Sequence, residues 1–333
     1  MSSRLLVVTP CFHGYGKSIG EALRRRGHDV VVHEYDAAPR AEKLWNKVRY
    51  ELPAKVRGTR GHLSAELVTA RAVQKLKEVR PDLVLTVRGD VLQANYWQAV
   101  ADNSGQAVVW LYDELRRMAL DVDVVSQVAT VATYSRGDTN TLVERGVDAH
   151  HVPLAHDRSL RPERTAPRGV ISFVGARFPA RQEALDTLLA HGIPTLAHGR
   201  DWSGHPVDRL RTWRLSTPGV PAGRDVSLAQ AYGIMAGSAA TLNIHGDQDG
   251  FTMRTFESCG IGAVQIVDRD DVDEFYEPGT EVLVQHSPAE LVEIARRVLA
   301  DRTRMAAMRE AARRRTMAEH TLDHRVAVLD TLW

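Results

Sequence analysis

The sequence has little of several features that mark whole classes of protein. It contains two cysteines, Cys11 and Cys259, among 333 residues, which excludes a disulfide framework and a zinc-finger array. Its formal net charge of +1 does not favour nucleic acid as the main partner. No apolar run reaches the roughly 18 residues of a transmembrane helix, and the N-terminal residues lack a signal-peptide hydrophobic region. We therefore expect a cytoplasmic protein without an integral membrane span.

Several catalytic motifs are also missing. The sequence contains no phosphate-binding loop with a Walker lysine and no His-Glu-x-x-His helix. Hydrolases and phosphotransferases that depend on these motifs are therefore not supported. Arginine greatly outnumbers lysine, a bias that is typical of a GC-rich bacterial genome.

The sequence is rich in one pattern, which is the alternation of short apolar runs with segments of helical period. Apolar content of 44% and charged content of 26% are those of a globular protein, and 333 residues suit two domains. Runs of Val, Ile and Leu predict strands of a mostly parallel sheet, with helices between them. The predicted strands are 5–9, 29–34, 83–87, 107–112, 129–134, 170–174, 193–197, 240–244 and 263–267, and the predicted helices are 18–26, 64–79, 181–191, 228–236, 289–299 and 303–318.

The alternation is interrupted once, between residues 153 and 169. This stretch contains Pro153, Pro162, Pro167 and several charges, a composition that predicts an interdomain linker. Because the same rhythm restarts after it, we predict an α/β fold with two Rossmann-like domains that face each other across a cleft. Ligands of such sheets bind outside the carboxyl ends of the strands.

The most informative segment runs from Asp249 to Asp268. It places an acid, a glycine-containing loop, a short helix with a second acid, Glu257, and a buried strand in one continuous stretch. Backbone N–H groups at the helix N-terminus, near Thr252, can hold phosphates. Five helical residues span about 7–8 Å, which suits a pyrophosphate at the N-terminus and a ribose at Glu257. On spacing alone, an ordinary loop–helix–strand passage fits equally well.

A second turn carries two arginines. A predicted strand ends at Gly175, a helix begins near Pro179, and Arg177 and Arg181 flank the turn between them. A helix N-terminus and guanidinium groups favour an anion through dipole and charge together. The alternative is that both arginines are solvated and bind nothing.

The turn after the first predicted strand is rich in glycine. Gly14, Gly16 and Gly20 could let the backbone approach a dinucleotide, but four residues separate the strand from the first glycine. A flexible turn that lines a cleft fits this spacing better, with His13 as a polar contact.

Two aspartates follow neighbouring predicted strands of the first half. Asp113 comes directly after the buried run that ends at Tyr112, and Asp90 follows the preceding strand. Both stand where a residue of the cleft should lie, although helix capping would explain either one without a function.

Clustered acids raise the question of a metal ion. The run His245-Gly-Asp247-Gln-Asp249 offers oxygen atoms that hard cations prefer. Asp121-Val-Asp123 and Asp271-Val-Asp273 repeat the same Asp-x-Asp spacing, so the pattern is common in this chain. A required metal is therefore not expected.

The stretch 36–60 is unusually basic, with seven Lys and Arg residues against three acids and with Trp45 and Tyr50 between them. It could contact an anionic acceptor or a membrane surface. A solvated helix or loop is the favoured interpretation.

These segments together resemble a known family. The spacing from Asp249 to Glu257 is similar to the acid–seven residues–acid motif of group 1 retaining glycosyltransferases of GT-B fold. The resemblance is close over roughly 169–330 and diffuse over 1–150. The segments that resemble the CgeB (spore maturation protein) type branch are 110–114, 173–181, 240–245, 254–260 and 320–325.

The resemblance implies a hexosyltransferase-like enzyme that moves a sugar from a nucleotide-diphosphate sugar to an acceptor in the interdomain cleft, with retention and without a metal or other cofactor. It implies an N-terminal acceptor domain over 1–160 and a C-terminal donor domain over 168–316. A C-terminal helix over 317–333 would cross back to the N-terminal domain. The acceptor would be a small molecule or an envelope precursor, and peripheral membrane contact is compatible with this assignment.

The same resemblance implies roles for individual residues. Glu257 would bind the ribose, Asp249 the donor sugar, and Arg181 the diphosphate with help from Arg177, so that fixed donors stabilise the charge of the leaving group. The full prediction comprises donor-binding Arg177, Arg181, His245, Gly250, Phe251, Thr252, Arg254 and Glu257, catalytic Asp113 and Asp249, and the acceptor-side candidates His13, Gly14, Gly16, Asp90 and Tyr112.

Two departures from the family pattern keep other functions open. Asp249 stands where glutamate is usual, and Tyr112 stands where a histidine is expected. One alternative is an enzyme of the same fold that hydrolyses or epimerises nucleotide sugars. Another is a non-catalytic module that binds sugar nucleotides or the cell envelope. An NAD oxidoreductase that uses Gly14 and Gly16 is the least favoured.

Overall fold

The computed structural model describes residues 3–11, 14–37, 62–103, 105–213, 216 and 218–333, with the backbone alone at 62–64. The chain divides into two compact units, one formed by Met1–Pro153 with Leu322–Trp333 and the other by Leu154–Thr321. Each unit contains one six-stranded sheet. The prediction of an α/β fold with two Rossmann-like halves is confirmed.

The first unit is built on a parallel sheet with the strand order β2-β1-β3-β4-β5-β6. Its elements up to residue 153 are β1 (Arg4–Thr9), α1 (Tyr15–Arg25), β2 (Asp29–Glu34), α2 (His62–Val79), β3 (Leu83–Val87), α3 (Ala94–Asp102), β4 (Gln106–Leu111), a 3-10 helix (Leu115–Arg117), α4 (Val122–Val125), β5 (Thr130–Thr133), α5 (Arg136–Glu144) and β6 (Ala149–His151).

The second unit has a parallel sheet with the order β12-β11-β10-β7-β8-β9. Its elements are β7 (Arg168–Val174), α6 (Pro179–Ala190), β8 (Thr195–His198), α7 (Pro206–Thr212), β9 (Ala222–Gly223), α8 (Leu228–Gly237), β10 (Ser238–Asn243), α9 (Met253–Gly260), β11 (Gln265–Val267), a 3-10 helix (Asp270–Glu274), β12 (Leu283–Val284), α10 (Pro288–Ala300) and α11 (Arg302–Glu319). The last helix, α12 (Leu322–Leu329), belongs to the first unit and packs on α1.

The central strands are apolar on both faces because helices cover both faces of a parallel sheet. All five residues of β3 are buried, and so are the last five of β1. Leu6, Val84 and Val109 belong to the core of the first unit, whereas Ile171 and Leu242 belong to the core of the second.

The chain breaks between α11 and α12, so the final helix begins at Leu322 and not near residue 317 as predicted. Residues 317–319 are instead the last turn of α11. His320 ends that helix by donating from Nε2 to the carbonyl oxygen of Phe275 at 2.9 Å, while its own carbonyl accepts from the backbone of His156 at 2.9 Å. These contacts hold His320 out of a continuous helix.

Each sheet has one point where the order of its strands reverses. In the first sheet the chain leaves β1 towards β2 and later continues from β3 towards β6, so the reversal lies between β1 and β3. In the second sheet the reversal lies between β7 and β10. Ligands of open α/β sheets bind beyond the carboxyl ends of the strands at such switch points.

Among the described helices, none combines the length and apolar character that a membrane crossing requires.

Candidate functional site

The switch point of the second sheet lies between two loops that follow paired strands. One loop joins β7 to α6, and the other, residues 244–252, joins β10 to α9. The first loop is fixed at Gly175, whose N–H donates to the carbonyl of His198 at 3.0 Å and whose carbonyl accepts from the indole of Trp202 at 3.0 Å. The predicted arginine turn and the predicted Asp249 segment are therefore neighbours.

The helices that follow these two loops are not capped by the side chains of their N-cap residues. Phe178 is the N-cap of α6 and Thr252 is the N-cap of α9, and neither makes a capping hydrogen bond. In contrast, a serine or aspartate side chain caps α8, α10 and α11. The first N–H groups of a helix need partners from outside the helix, and they attract anions. The switch point therefore presents two helix N-termini that suit a phosphate.

Arg181 connects the two loops. Its Nε donates to the carbonyl of Ile244 at 3.0 Å, and its NH1 donates to the carbonyl of Ala176 at 3.2 Å. The guanidinium also lies 4.7 Å from the ring centre of Phe178. Arg181 thus places its charge between the ends of β7 and β10, where the sequence predicted a diphosphate.

Arg177 is more enclosed than predicted for a ligand of the donor. It is 9% exposed, donates from Nε to Oε1 of Gln182 at 2.9 Å, and lies 5.8 Å from the ring centre of Trp202. Its charge remains next to the turn, so it can contribute to the electrostatic potential there.

The loop before α9 turns its acid outwards and its apolar residues inwards. Asp249 is exposed, whereas Gly250 and Phe251 are buried. The ring of Phe251 meets the rings of His245 and Phe275 edge-on, at centroid distances of 5.1 and 5.3 Å. The predicted sugar contact at Asp249 therefore rests on a loop that is anchored in the core.

His245 lies beneath this loop and supports it. Its side chain is fully buried, its Nδ1 lies 2.9 Å from Oδ1 of Asp268, and its Nε2 lies 3.2 Å from Oγ1 of Thr255. The backbone N–H groups of His245 and Gly246 also donate to Asp268, at 2.9 and 3.2 Å. His245 was predicted as a donor-binding residue, but both ring nitrogens are engaged inside the protein.

The carboxylate of Asp268 is held in its charged form. Burial raises its pKa, but hydrogen bonds from the side chain and backbone of His245, and from the backbone of Gly246, lower the pKa by more. The net effect is a pKa below the usual range of aspartate. Asp268 therefore acts as a fixed anchor for the start of the loop.

Glu257 lies in α9 with its carboxylate 1% exposed. Oε1 accepts from the hydroxyl of Tyr232 at 2.9 Å, and Oε2 pairs with NH1 of Arg254 at 2.9 Å. Glu257 is thus held by two side chains of the second unit, and its contact with a ribose stays a prediction. Arg254 is the more exposed member of this ion pair, with a side chain 24% exposed.

A histidine that the sequence did not single out packs beneath α9. His156 is 2% exposed, and its ring touches Gly260 so closely that any Cβ there would overlap it. Burial lowers the pKa of His156, against the opposing effect of the carboxylates of Glu257 and Asp157. Its Nδ1 has no hydrogen-bond partner among the described residues.

The glycines of the first unit lie at its switch point. Gly14 is the N-cap of α1 in the left-handed conformation, with φ of 83°, and α1 has no side-chain cap. Gly16 faces Thr9 of β1, and a side chain at that position would overlap the threonine methyl group. Packing therefore explains Gly16 without a dinucleotide. His13 lies outside the described residues.

The two predicted aspartates of the first unit share an arginine. Oδ1 of Asp90 lies 2.9 Å from Nε of Arg88, and Oδ2 of Asp113 lies 3.6 Å from NH2 of the same residue. Arg88 has a φ of 68°, a strained conformation for a non-glycine residue that is often found at functional sites. The first switch point therefore brings Asp90 and Asp113 together around one cation.

Tyr112 follows β4 next to these acids. Its ring meets that of Trp110 edge-on at 4.7 Å, and its hydroxyl is buried without a hydrogen-bond partner in the described part of the chain. Burial raises the pKa of this phenol well above its ordinary value. A buried hydroxyl without a hydrogen-bond partner is unfavourable, so a hydrogen bond from this hydroxyl to a polar atom of a ligand would be stabilising.

The remaining predictions concern metals and the basic stretch. Within the described residues there is no group of three or more His, Cys, Asp or Glu placed to hold a metal ion. Metal independence remains a prediction about the reaction. Most of the basic stretch 36–60, with Trp45 and Tyr50, lies outside the described residues.

Comparisons with known proteins bear on both the fold and the second unit. The model of a glycosyl transferase-like family matches residues 181–331, which is less than half of the chain. No curated protein matches the sequence.

Three solved structures illustrate the similarity in fold. HepE from Anabaena, solved in complex with UDP, is 15% identical with 99% of each chain covered and a TM-score of 0.64. A sucrose-phosphate synthase from Thermosynechococcus elongatus is 15% identical, with 99% and 98% covered and a TM-score of 0.62. A glycosyltransferase from Rickettsia africae is 12% identical, with 99% and 98% covered and a TM-score of 0.65. The two parallel six-stranded sheets of this chain match GT-B structures.

Proposed function

We propose that the protein is a glycosyltransferase that moves a sugar from a nucleoside-diphosphate sugar to a hydroxyl or amine of an acceptor. The observation that carries this proposal is the second switch point, where Arg181 links two loops whose helices lack side-chain caps. Dipole and charge together favour a dianionic group there. The glycosyl transferase-like match includes Arg181, the loop and α9.

The donor would lie along α9. Its diphosphate would accept hydrogen bonds from the amides near Gly250 and Thr252, and its ribose would contact Glu257, about one and a half turns further along. HepE was solved with UDP and with UDP-glucose, which makes uridine diphosphate sugars the first donors to test.

The chemistry requires stabilisation of the leaving group. The bond between the anomeric carbon and the diphosphate oxygen breaks, the acceptor oxygen or nitrogen takes its place, and the acceptor proton passes to a carboxylate or to the leaving phosphate. Arg181 and the N-terminus of α9 would stabilise the negative charge that develops on the diphosphate. Retention, independence of metal ions and the roles of Asp249 and Asp113 are parts of the proposal, as is membership of the CgeB-type branch.

Calorimetric titration with UDP, GDP and dTDP tests the proposal. At least one nucleotide should bind to the folded protein, and the matching sugar nucleotide should then lose its sugar to an acceptor or slowly to water. If none of the three nucleotides binds, the proposal is wrong. Binding without any turnover would favour a non-catalytic module.

One competing activity has support from the fold. A putative UDP-N-acetylglucosamine 2-epimerase from Listeria monocytogenes is similar over 98% of this chain, with 11% identity and a TM-score of 0.58. Product analysis with and without acceptors separates the two activities. A glycosylated acceptor supports transfer, whereas an epimerised or hydrolysed sugar in the presence of many acceptors supports the alternative.

A further inference from the structure

Arg269 follows β11, and all three nitrogens of its guanidinium group bind either the Asp249 loop or Asp271. NH1 donates to the carbonyls of Gln248, at 2.7 Å, and Asp249. Nε donates to Oδ1 of Asp271 at 2.8 Å, and NH2 pairs with the other oxygen of that carboxylate. The flat face of the group lies 4.2 Å from the ring centre of Phe251.

These contacts set the orientation of two peptide groups. In a trans peptide the C=O of one residue and the N–H of the next point in opposite directions. Because Arg269 draws the carbonyls of Gln248 and Asp249 towards itself, the N–H groups of Asp249 and Gly250 are directed away from it. Arg269 therefore determines which way the middle of the loop presents its donors.

The neighbouring residue fixes the start of the same loop. Asp268 accepts from the backbone N–H groups of His245 and Gly246 and from the ring of His245. The first amides of the loop are thus turned inwards by Asp268, and the later amides are turned away from Arg269. Two consecutive residues that follow β11 therefore hold backbone groups at both the start and the middle of this loop.

We propose that Arg269 is a positioning residue for the diphosphate of the donor, which acts by directing the amides of Asp249 and Gly250 towards the second phosphate, the one further from a ribose at Glu257. This inference rests on the proposed function. Arg269 is itself not placed to bind the phosphate directly, because its N–H groups are engaged with carbonyls and with Asp271. Arginine suits the role because its planar fork serves two acceptors and stacks on an aromatic ring, which lysine cannot do equally well.

The first experiment compares a diphosphate with a monophosphate. Arg269→Ala should weaken the binding of UDP about tenfold or more, since one misdirected hydrogen bond to a charged group costs about that factor. The binding of UMP should change less than about threefold, because the amides act on the second phosphate. Arg269→Lys should give an intermediate loss. If another base is preferred, the matching diphosphate and monophosphate replace UDP and UMP.

A matched control comes from the same unit. Arg315 forms ion pairs with Glu319, at 2.9 Å, and Glu281, away from the loop in sequence, and Arg315→Ala should leave the binding of both nucleotides unchanged. Equal losses for UDP and UMP in Arg269→Ala would overturn the inference, because they indicate a general loss of structure. So would unchanged binding of UDP.

A second measurement does not need a ligand. Hydrogen–deuterium exchange of peptides that cover 245–252 should be faster in Arg269→Ala than in the wild-type protein, with little change in α11, because local opening depends on local hydrogen bonds. If Arg269→Ala does not fold, Arg269→Lys carries both measurements. Unchanged exchange in the loop overturns the positioning role. Failure of the wild-type protein to bind any nucleotide would instead refute the proposed function, whatever the exchange shows.

Discussion

The two switch points share a backbone arrangement and differ in charge. At the first, α1 and α3 begin without side-chain caps, and at the second α6 and α9 do. Five α-helices that begin elsewhere at the same sheet edges are capped by side chains, namely those of Asp121, Ser135, His205, Ser227 and Ser287, whereas the two 3-10 helices are not. Among the α-helices with a described N-cap, the uncapped N-termini coincide with the positions where a ligand of each sheet should bind.

The charges around the two positions point to different ligands. At the second switch point Arg181 lies between the loops, with Arg177 beside it. At the first, Arg88 is shared by Asp90 and Asp113, and the pKa of the nearby Tyr35 phenol is raised by burial and then by the carboxylates of Asp90 and Asp36. An anionic ligand suits the second position, whereas a neutral or cationic ligand suits the first.

The largest expected difference between the two switch points is the effect of removing the arginine at each on turnover and on the binding of UDP. Arg181→Ala should lower turnover about 100- to 1000-fold, which is the usual cost of losing one preorganised donor to a developing negative charge. Binding of UDP should weaken as well. Arg88→Ala should leave UDP binding within about twofold, because Arg88 pairs with Asp90 and Asp113 at the first switch point and belongs to neither loop of the second. Steady-state kinetics and calorimetry on both variants measure these effects.

Arg181→Lys is the control for that comparison, since it keeps the charge but loses the fork that joins Ile244 to Ala176. It should recover part of the turnover. Equal effects of Arg181→Ala and Arg88→Ala on UDP binding would show that the charge difference between the switch points does not select the donor.

Strands with runs of Val and Leu could be predicted closely, and the shortest edge strands could not. The predicted strands 29–34 and 83–87 coincide with β2, at the edge of its sheet, and with β3, because such runs indicate a strand at either position. The two-residue strands β9 and β12 are too short to leave a pattern. The helix α5 was missed because its sequence, Arg-Gly-Asp-Thr-Asn-Thr-Leu-Val-Glu, has few apolar residues at helical spacing.

The candidate site, too, could be predicted only in part. Its main-chain features were predictable, since Thr252 is the N-cap of α9 and Arg181 lies at the adjacent turn. Arg269, Tyr232 and His156 were missed because their partners are distant in the sequence, and no local pattern records a contact that only folding creates. His245 was assigned to the donor because the sequence does not show that its side chain is buried against Asp268.

Buried histidines should make stability depend on pH, more through the second unit than the first. Burial lowers the pKa of His156 in the second unit and of His33, which is less buried, in the first. The unfolded chain then binds protons that the folded chain does not, so stability should fall as the pH drops below the unfolded pKa of about 6.5. The slope contributed by one histidine is at most about 1.4 kcal/mol per pH unit.

Urea unfolding at about pH 7 and about pH 5 measures this dependence. His156→Phe, which keeps a ring against Gly260, should flatten the change in unfolding free energy more than His33→Phe does. Asp268 should not contribute in this range. Its lowered pKa stabilises the fold above the unfolded value of about 4, and this stabilisation is lost only as the pH falls through the folded value. Equal slopes in wild type and His156→Phe would contradict the prediction.

The smallest expected effect on stability comes from adding a side-chain cap at each switch point. Thr252→Asp at α9 and Gln93→Asp at α3 should each raise the free energy of unfolding by about 0.5–1 kcal/mol, because each places a carboxylate at an N-cap whose present side chain makes no capping bond. Only Thr252→Asp should weaken UDP binding, by about tenfold or more, since its carboxylate would occupy and repel the phosphate position. Urea unfolding and calorimetry on the same two variants test both statements. If Thr252→Asp binds UDP like wild type, the N-terminus of α9 is not the phosphate site, and the missing caps at the switch points reflect local packing alone.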